Sequence, residues 1–135
     1  MNGPAWLARL LGLGGVLEVA TGLALVADPA GGALALFGSP MEGAGVAIGR
    51  IGGGALLSLG IACWLARSTP TAPASVGVAW GYLAYNAVTC ATLAWATVAL
   101  GVGSPPLFGA LVLHGLLGAA LLGALIGRDR TQAGP

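Results

Sequence analysis

The chain has 135 residues, which is enough for one domain. Hydrophobic residues make up 57% of it and charged residues only 7%, whereas soluble proteins carry roughly 25% charged residues. This composition excludes an ordinary soluble protein and predicts an integral membrane protein. The formal net charge is +1, with no lysine and no basic cluster, so we expect no binding to nucleic acid.

Apolar stretches long enough to cross a bilayer, about 20 residues each, recur along the chain. They cover residues 6–27, 44–66, 76–100 and 107–126. The intervening segments "DPAGGALALFGSPMEG", "RSTPTAPAS" and "GVGSPP" are rich in Pro, Gly and Ser, as loops are. We therefore predict an all-α fold, a four-transmembrane-helix bundle that forms a single domain over residues 1–135. A short interfacial helix is expected around "GALALF", and residues 128–135 are expected to form a short solvated tail.

Charge asymmetry predicts the orientation of this bundle. Four spans place both termini on one side of the membrane, and the two sides differ in their charged residues: Arg9, Arg67, Arg128 and Arg130 on the side of the termini, Asp28 and Glu42 on the other. By the positive-inside rule both termini are cytoplasmic. We expect a multi-pass protein of the bacterial inner membrane.

An alternative is that the first span is a signal peptide cut after Ala27, since Arg9 precedes its apolar run. The run is long for a signal peptide, Glu18 interrupts it, and Leu25 is a poor residue for the small position before a cut. Cleavage would leave three spans and change the predicted orientation.

Each predicted span contains one strongly polar residue: Glu18, Arg50, Asn86 and His114. Counted from the span midpoints at about 1.5 Å per residue, Glu18, His114 and Arg50 lie about 2, 4 and 7 Å to the outer side, and Asn86 about 3 Å to the inner side. A charge isolated at this depth costs about 2.5–3.5 kcal/mol, so such residues usually face the bundle interior and pair. We therefore predict an ion pair between Arg50 and Glu18, with Asn86 and His114 within hydrogen-bond range.

Helical spacing predicts which faces meet. Tyr82, Tyr85 and Asn86 follow one another at i, i+3 and i+4, so they share one helix face, which we expect to point inward. In the second span a different face carries small residues in consecutive small-xxx-small steps, as helix-packing faces do. Its residues are Gly45, Gly49 and Gly53.

Two interpretations of the polar residues remain open. They can fix helix register only, as polar groups across membrane helices often do, or they can form a binding site or pathway in the outer half of the bundle. A third arrangement, with the charges facing lipid or solvent, also remains.

Metal, disulfide and enzymatic chemistry have little support in the sequence. His114 is the single histidine, and with Glu18 it offers two ligands where a metal site needs three or four, so no haem, metal or other cofactor is expected unless a second chain contributes. Cys63 and Cys90 lie at depths about 15 Å apart, whereas a disulfide needs Cα atoms within about 7 Å, so both are predicted to be packing residues. No metalloprotease, nucleotide-binding or acyl-transfer motif occurs, so an enzyme is the third and least supported class of function.

The segments "GRIGGGALLSLGIACWLARS", "WGYLAYNAV" and "LHGLLGAAL" resemble the small four-helix bacterial membrane proteins of the DoxX-like kind. The resemblance covers most of the chain. It implies a four-helix inner-membrane bundle, in some members an accessory subunit near quinone-linked redox chemistry, and it carries over no site residue.

A second, local resemblance concerns "LEVATGLAL", which is similar to the acidic first helix of the small multidrug resistance transporters. It implies that Glu18 exchanges protons for a cationic substrate. The characteristic segment in the second half of those transporters, an apolar run that ends in an aromatic residue before a glycine-rich helix, is not matched here. An ion pair with Arg50 would also hold the carboxylate ionised and reduce its use as a proton carrier.

The sequence therefore favours a binding or accessory membrane protein whose polar residues line a small outward-opening pocket for a lipid, a quinone or another amphiphile. The alternative is a small proton-coupled transporter that uses Glu18 and works as a dimer through the face of Gly45, Gly49 and Gly53. Membrane lipids are the expected partners, together with a homodimer or a larger membrane complex.

Overall fold

A computed structural model describes residues 3–132 of the chain, and the side chains of residues 3–128. This part of the chain forms five helices and contains no strand. The helices are α1 (Gly3–Ala27), α2 (Pro29–Phe37), α3 (Ala44–Ala66), α4 (Pro73–Leu100) and α5 (Pro105–Gln132). The prediction of an all-α fold is confirmed.

Four helices, α1, α3, α4 and α5, are long and apolar enough to cross a membrane. Each contains one of the stretches predicted from hydropathy, and α3 has the predicted bounds. Large apolar side chains remain exposed on the outer faces, such as Ile51 at 74% and Val98 at 87%. An exposed apolar surface of this kind suits hydrocarbon rather than water.

The last helix extends beyond its predicted span. Its backbone is helical to Gln132, six residues past the predicted end at residue 126, so the first part of the expected tail is helical. Residues 133–135 of that tail lie outside the described residues.

The short helix expected around "GALALF" is α2. Asp28 caps its first turn, since the backbone N–H of Gly31 donates to Asp28 Oδ1 at 2.9 Å. Gly38 ends the helix with φ 74°, a left-handed conformation that favours glycine. The Ser104 hydroxyl, just before α5, donates to the Leu36 carbonyl at 2.7 Å. This bond fastens α2 to the loop between α4 and α5.

The four long helices form a ring in which each packs against two neighbours, in the order α1, α3, α4, α5. The contact between α1 and α3 is the most extensive, and that between α4 and α5 comes second. The bundle is therefore built from two helix pairs that pack more loosely against each other.

The pair α1 and α3 packs backbone against backbone. A Cβ on Gly22 would lie 2.6 Å from the backbone nitrogen of Leu57 and 2.7 Å from the carbonyl oxygen of Gly53. A Cβ on Gly15 would lie 3.0 Å from the carbonyl oxygen of Gly60. The two contact glycines are seven residues apart on each helix, Gly15 and Gly22 on α1 and Gly53 and Gly60 on α3. Because the helices are antiparallel, this equal spacing lets Gly15 meet Gly60 and Gly22 meet Gly53.

We predict that Gly53→Ala destabilises the protein, because its Cβ would lie 2.8 Å from both the Gly22 carbonyl oxygen and the Val26 backbone nitrogen. Overpacking of this kind costs about 1–3 kcal/mol in the free energy of unfolding. Equilibrium unfolding in detergent micelles measures this loss. Gly52→Ala is the matched control, because a Cβ there meets nothing within 4 Å. Equal losses in the two variants would contradict the close helix contact.

Candidate functional site

Glu18 lies on the inner face of α1, and its side chain is 3% exposed. The Tyr82 hydroxyl, from α4, donates to Glu18 Oε1 at 3.3 Å. The Tyr85 side chain lies near the same carboxyl group. Within the described residues the carboxyl is therefore met by neutral hydroxyl groups, and no cation pairs with it.

Gly14 makes room for this contact. It lies one helical turn before Glu18, and a Cβ on Gly14 would overlap the ring of Tyr82. Because the ring occupies this space, Tyr82 is fully buried. A small residue beside the buried carboxyl thus lets a long side chain from α4 reach across the bundle to α1.

Asn86 and His114 form the second part of the site. Asn86 is 1% exposed, and its Nδ2 donates to the Tyr82 carbonyl oxygen, one turn earlier, at 2.7 Å. Its Oδ1 lies 2.9 Å from His114 Nδ1, on α5. Asn86 and His114 were predicted to lie within hydrogen-bond range of an Arg50–Glu18 pair; in the structure they contact each other.

This pairing determines the tautomer of the neutral His114 ring. The Asn86 NH₂ group is used on the Tyr82 carbonyl, so the atom facing His114 is the amide oxygen, which only accepts. Nδ1 must then carry the ring proton, and Nε2 is left as an acceptor. Within the described residues Nε2 makes no hydrogen bond.

Ring contacts join these groups into one cluster. The rings of Tyr82 and Tyr85 stack with their centroids 6.1 Å apart. The rings of Tyr85 and His114 pack edge to face with their centroids 5.5 Å apart. We call the resulting set the polar cluster; its members are Glu18, Tyr82, Tyr85, Asn86 and His114. They come from α1, α4 and α5.

One side of the polar cluster faces a groove of about 220 Å³ between α4 and α5. Asn86 and His114 provide its polar lining, and the remaining lining side chains are small or apolar. We call this the α4–α5 groove; its other residues are Leu83, Ala87, Cys90, Gly115, Gly118, Ala119 and Leu122. Ala87, Gly115, Ala119 and Leu122 are exposed, so the groove opens on the outer surface of the bundle.

The predicted ion pair between Arg50 and Glu18 is wrong. Arg50 is exposed on the outside of α3, and within the described residues it forms no ion pair with Glu18. The reason is the rotation of α3. Gly49 and Gly53 are buried against other helices, and the residue after Gly49 is turned by about 100° from that face. Arg50 lies about 9 Å along α3 from its first residue, where a long side chain can extend toward the membrane surface.

The predicted glycine face of α3 packs inside the chain rather than against a second copy. A Cβ on Gly49 would lie 2.7 Å from the Pro29 side chain, and Gly53 meets the backbone of α1. Gly45 lies closest to Met41, with its Cβ position 3.6 Å from that side chain. Gly49 therefore packs against the start of α2 and Gly53 against α1, which leaves no space at these two positions for a second copy of the chain.

Both cysteines are free thiols. Cys63 is buried in the core, whereas Cys90 Sγ donates to the Leu111 carbonyl at 3.5 Å and lines the α4–α5 groove. Sequence reasoning placed Cys90 among the packing residues only. Its spacing of i+4 from Asn86 was the signal that it shares the face of the polar cluster. Among the described residues no three or more His, Cys, Asp or Glu side chains are grouped as a metal site would need.

Comparison with protein-family models, with curated proteins and with solved structures finds no match.

We predict that Tyr82→Phe lowers the free energy of unfolding by about 1–3 kcal/mol, because it removes a hydrogen bond from the buried Glu18 carboxyl. Chemical unfolding in mixed micelles measures the loss. Ser58→Ala is the control, since the Ser58 hydroxyl donates to the Gly54 carbonyl on an exposed face of α3, and its removal should cost less than about 0.5 kcal/mol. A Tyr82→Phe variant as stable as the control would show that the hydroxyl contributes nothing to Glu18.

Proposed function

We propose that the protein is a small multi-pass protein of the bacterial inner membrane that binds a hydroxyl-bearing amphiphile in the α4–α5 groove. The observation that carries the proposal is the free Nε2 acceptor of His114, beside a groove that opens toward the hydrocarbon. Asn86 holds His114 Nδ1 at 2.9 Å, so the ring presents a defined acceptor to a ligand that donates a hydrogen bond.

The size of the groove favours a ring or headgroup as the part that enters. Its volume of about 220 Å³ is below the roughly 300–1,000 Å³ of pockets that enclose whole drug-sized ligands. An apolar tail would then remain in the bilayer. A hydroquinone fits this description, since it is a single ring with two hydroxyl donors and an apolar chain.

The remaining parts of the proposal concern the setting of the site. Arginines at the end of the bundle that holds both chain termini favour a cytoplasmic position for that end. The resemblance to DoxX-like proteins, some of which accompany quinone-linked redox chemistry, agrees with a binding or accessory role. We propose no catalytic step and no resident cofactor.

We predict that the full chain in lipid nanodiscs binds decylubiquinol about tenfold more tightly than decylubiquinone, because only the reduced ring can donate to His114 Nε2. One hydrogen bond of about 1.4 kcal/mol corresponds to this ratio. Isothermal titration calorimetry with both compounds measures it. His114→Phe should abolish the preference.

The control variant for this experiment is Thr97→Val, since Thr97 donates to the Leu93 carbonyl on α4 and does not line the α4–α5 groove. It should keep the preference for the reduced ring. The proposal fails if the oxidised ring binds as tightly as the reduced one, or if His114→Phe leaves the ratio unchanged.

The second candidate function is proton-coupled transport through Glu18. It is favoured by one observation: with Arg50 on the outside of α3, no cation among the described side chains pairs with the Glu18 carboxyl. Two observations oppose it. The Glu18 carboxyl is only 3% exposed. In addition, no continuous chain of hydrogen bonds leads from Glu18 to the groove among the described residues, because two separate groups of Tyr82 make the bonds on its two sides. The hydroxyl of that residue meets Glu18, whereas its backbone carbonyl meets Asn86.

Proteoliposomes with an imposed proton gradient separate the two functions. We predict no proton-driven uptake of ethidium by the wild-type chain, since Glu18 has no aqueous access. Glu18→Gln and the exposed loop variant Glu42→Gln should behave alike. Uptake by the wild type that Glu18→Gln abolishes and Glu42→Gln preserves would establish transport in place of amphiphile binding.

A further inference from the structure

A second groove runs along the outer surface between α1 and α3, and it shares no lining residue with the α4–α5 groove. Its deeper part has a volume of about 470 Å³ and an entirely apolar lining, which includes Val16, Leu23 and Ile61. Its other part, of about 500 Å³, contains Arg9 and Arg67. Val16 and Trp64 line both parts, so the two form one continuous surface, which we call the α1–α3 groove.

The basic end of this groove is built by three side chains. The Arg67 guanidinium lies over the Trp64 ring, 3.8 Å from the centroid, an arrangement that orients the cation without neutralising it. Its Nε is buried and has no hydrogen-bond partner among the described residues. Arg9, on the neighbouring helix α1, is exposed. No carboxylate lines either part of the groove.

Glycine shapes the surface beside the arginines. A Cβ on Gly12 would lie 3.3 Å from Arg67 Cδ, so the absence of a side chain there lets the Arg67 chain lie against α1. Beyond the arginines, the apolar lining of the groove extends along α1 from Gly12 to Leu23, about 16 Å at 1.5 Å per residue. One leaflet of a bilayer has a hydrocarbon thickness of about 15 Å. An apolar channel of one-leaflet length, with two cations at the end nearest the chain termini, matches a lipid in charge and in length.

We propose that the α1–α3 groove binds one anionic phospholipid, with its phosphate between Arg9 and Arg67 and an acyl chain along the apolar part. Arginine is suited to this role, since its planar group donates to phosphate oxygens in pairs. The site is separate from the α4–α5 groove and does not depend on the function proposed there.

Fluorescence quenching at Trp64 tests this proposal. The reporter is the full chain with Trp6→Phe, Trp80→Phe and Trp95→Phe, so that Trp64 is its single tryptophan. Trp64 is 45% exposed and lines the groove, so a brominated lipid seated there quenches its emission. We expect brominated phosphatidylglycerol to reach half-maximal quenching at a mole fraction about tenfold lower than brominated phosphatidylcholine, in mixed micelles.

Variants in this reporter locate the effect. Arg9→Gln and Arg67→Gln should each remove most of the preference for phosphatidylglycerol. Ala20→Phe, which fills the apolar part without changing a charge, should weaken quenching by the anionic lipid, while the helical circular dichroism stays unchanged. Arg9 and Ala20 are exposed, so both variants test the site without disturbing the core.

Arg128→Gln is the control for general attraction to a positive surface. Arg128 lies at the same end of the bundle, where its Nη2 donates to the Thr71 carbonyl at 3.3 Å, but it does not line the groove. It should keep the preference. The proposal is overturned if Arg128→Gln loses as much as Arg9→Gln, if the two lipids quench alike, or if inorganic phosphate abolishes the preference, since that would show an anion site without a lipid.

Discussion

The backbone contact between α1 and α3 sets the positions of the polar side chains in this bundle. Between helices in lipid there is little hydrophobic driving force, so association depends on close packing, which small residues permit. Gly15 and Gly22 supply that surface on α1, and Gly53 and Gly60 supply it on α3. Once these glycines face each other, the rotation of both helices is determined. Glu18, between the two contact glycines of α1, must then face the bundle interior.

The same rotation divides the charged and polar groups between two environments. Inside, Glu18 meets hydroxyl groups, and the chain of contacts continues through Tyr82 and Asn86 to His114. Outside, Arg50 is exposed. The helix pair α4 and α5 carries the open groove, whereas the tightly packed pair α1 and α3 presents a surface with a basic end.

Hydropathy was sufficient to predict the four spans and the short α2, because length and polarity are local properties of the chain. Depth along the helices placed Glu18, Asn86 and His114 in one layer of the bundle. It also led to the wrong ion pair of Arg50 with Glu18, because depth gives no information on helix rotation. The matched spacing of Gly15 with Gly22 and of Gly53 with Gly60 was the missing signal. The contact of Glu18 with Tyr82 also could not be predicted. It depends on the space that Gly14 leaves for the Tyr82 ring, and the sequence does not show which side chain fills that space.

Solid-state NMR of the full chain in lipid bilayers tests the central contact most directly. With carbon-13 in the glycine backbones, the structure predicts through-space correlations between Gly22 and Gly53 and between Gly15 and Gly60, because these backbones touch. Helices whose axes lie about 8–10 Å apart, as side-chain-mediated packing gives, would show neither correlation. Their absence would contradict the arrangement on which the polar cluster and both grooves depend.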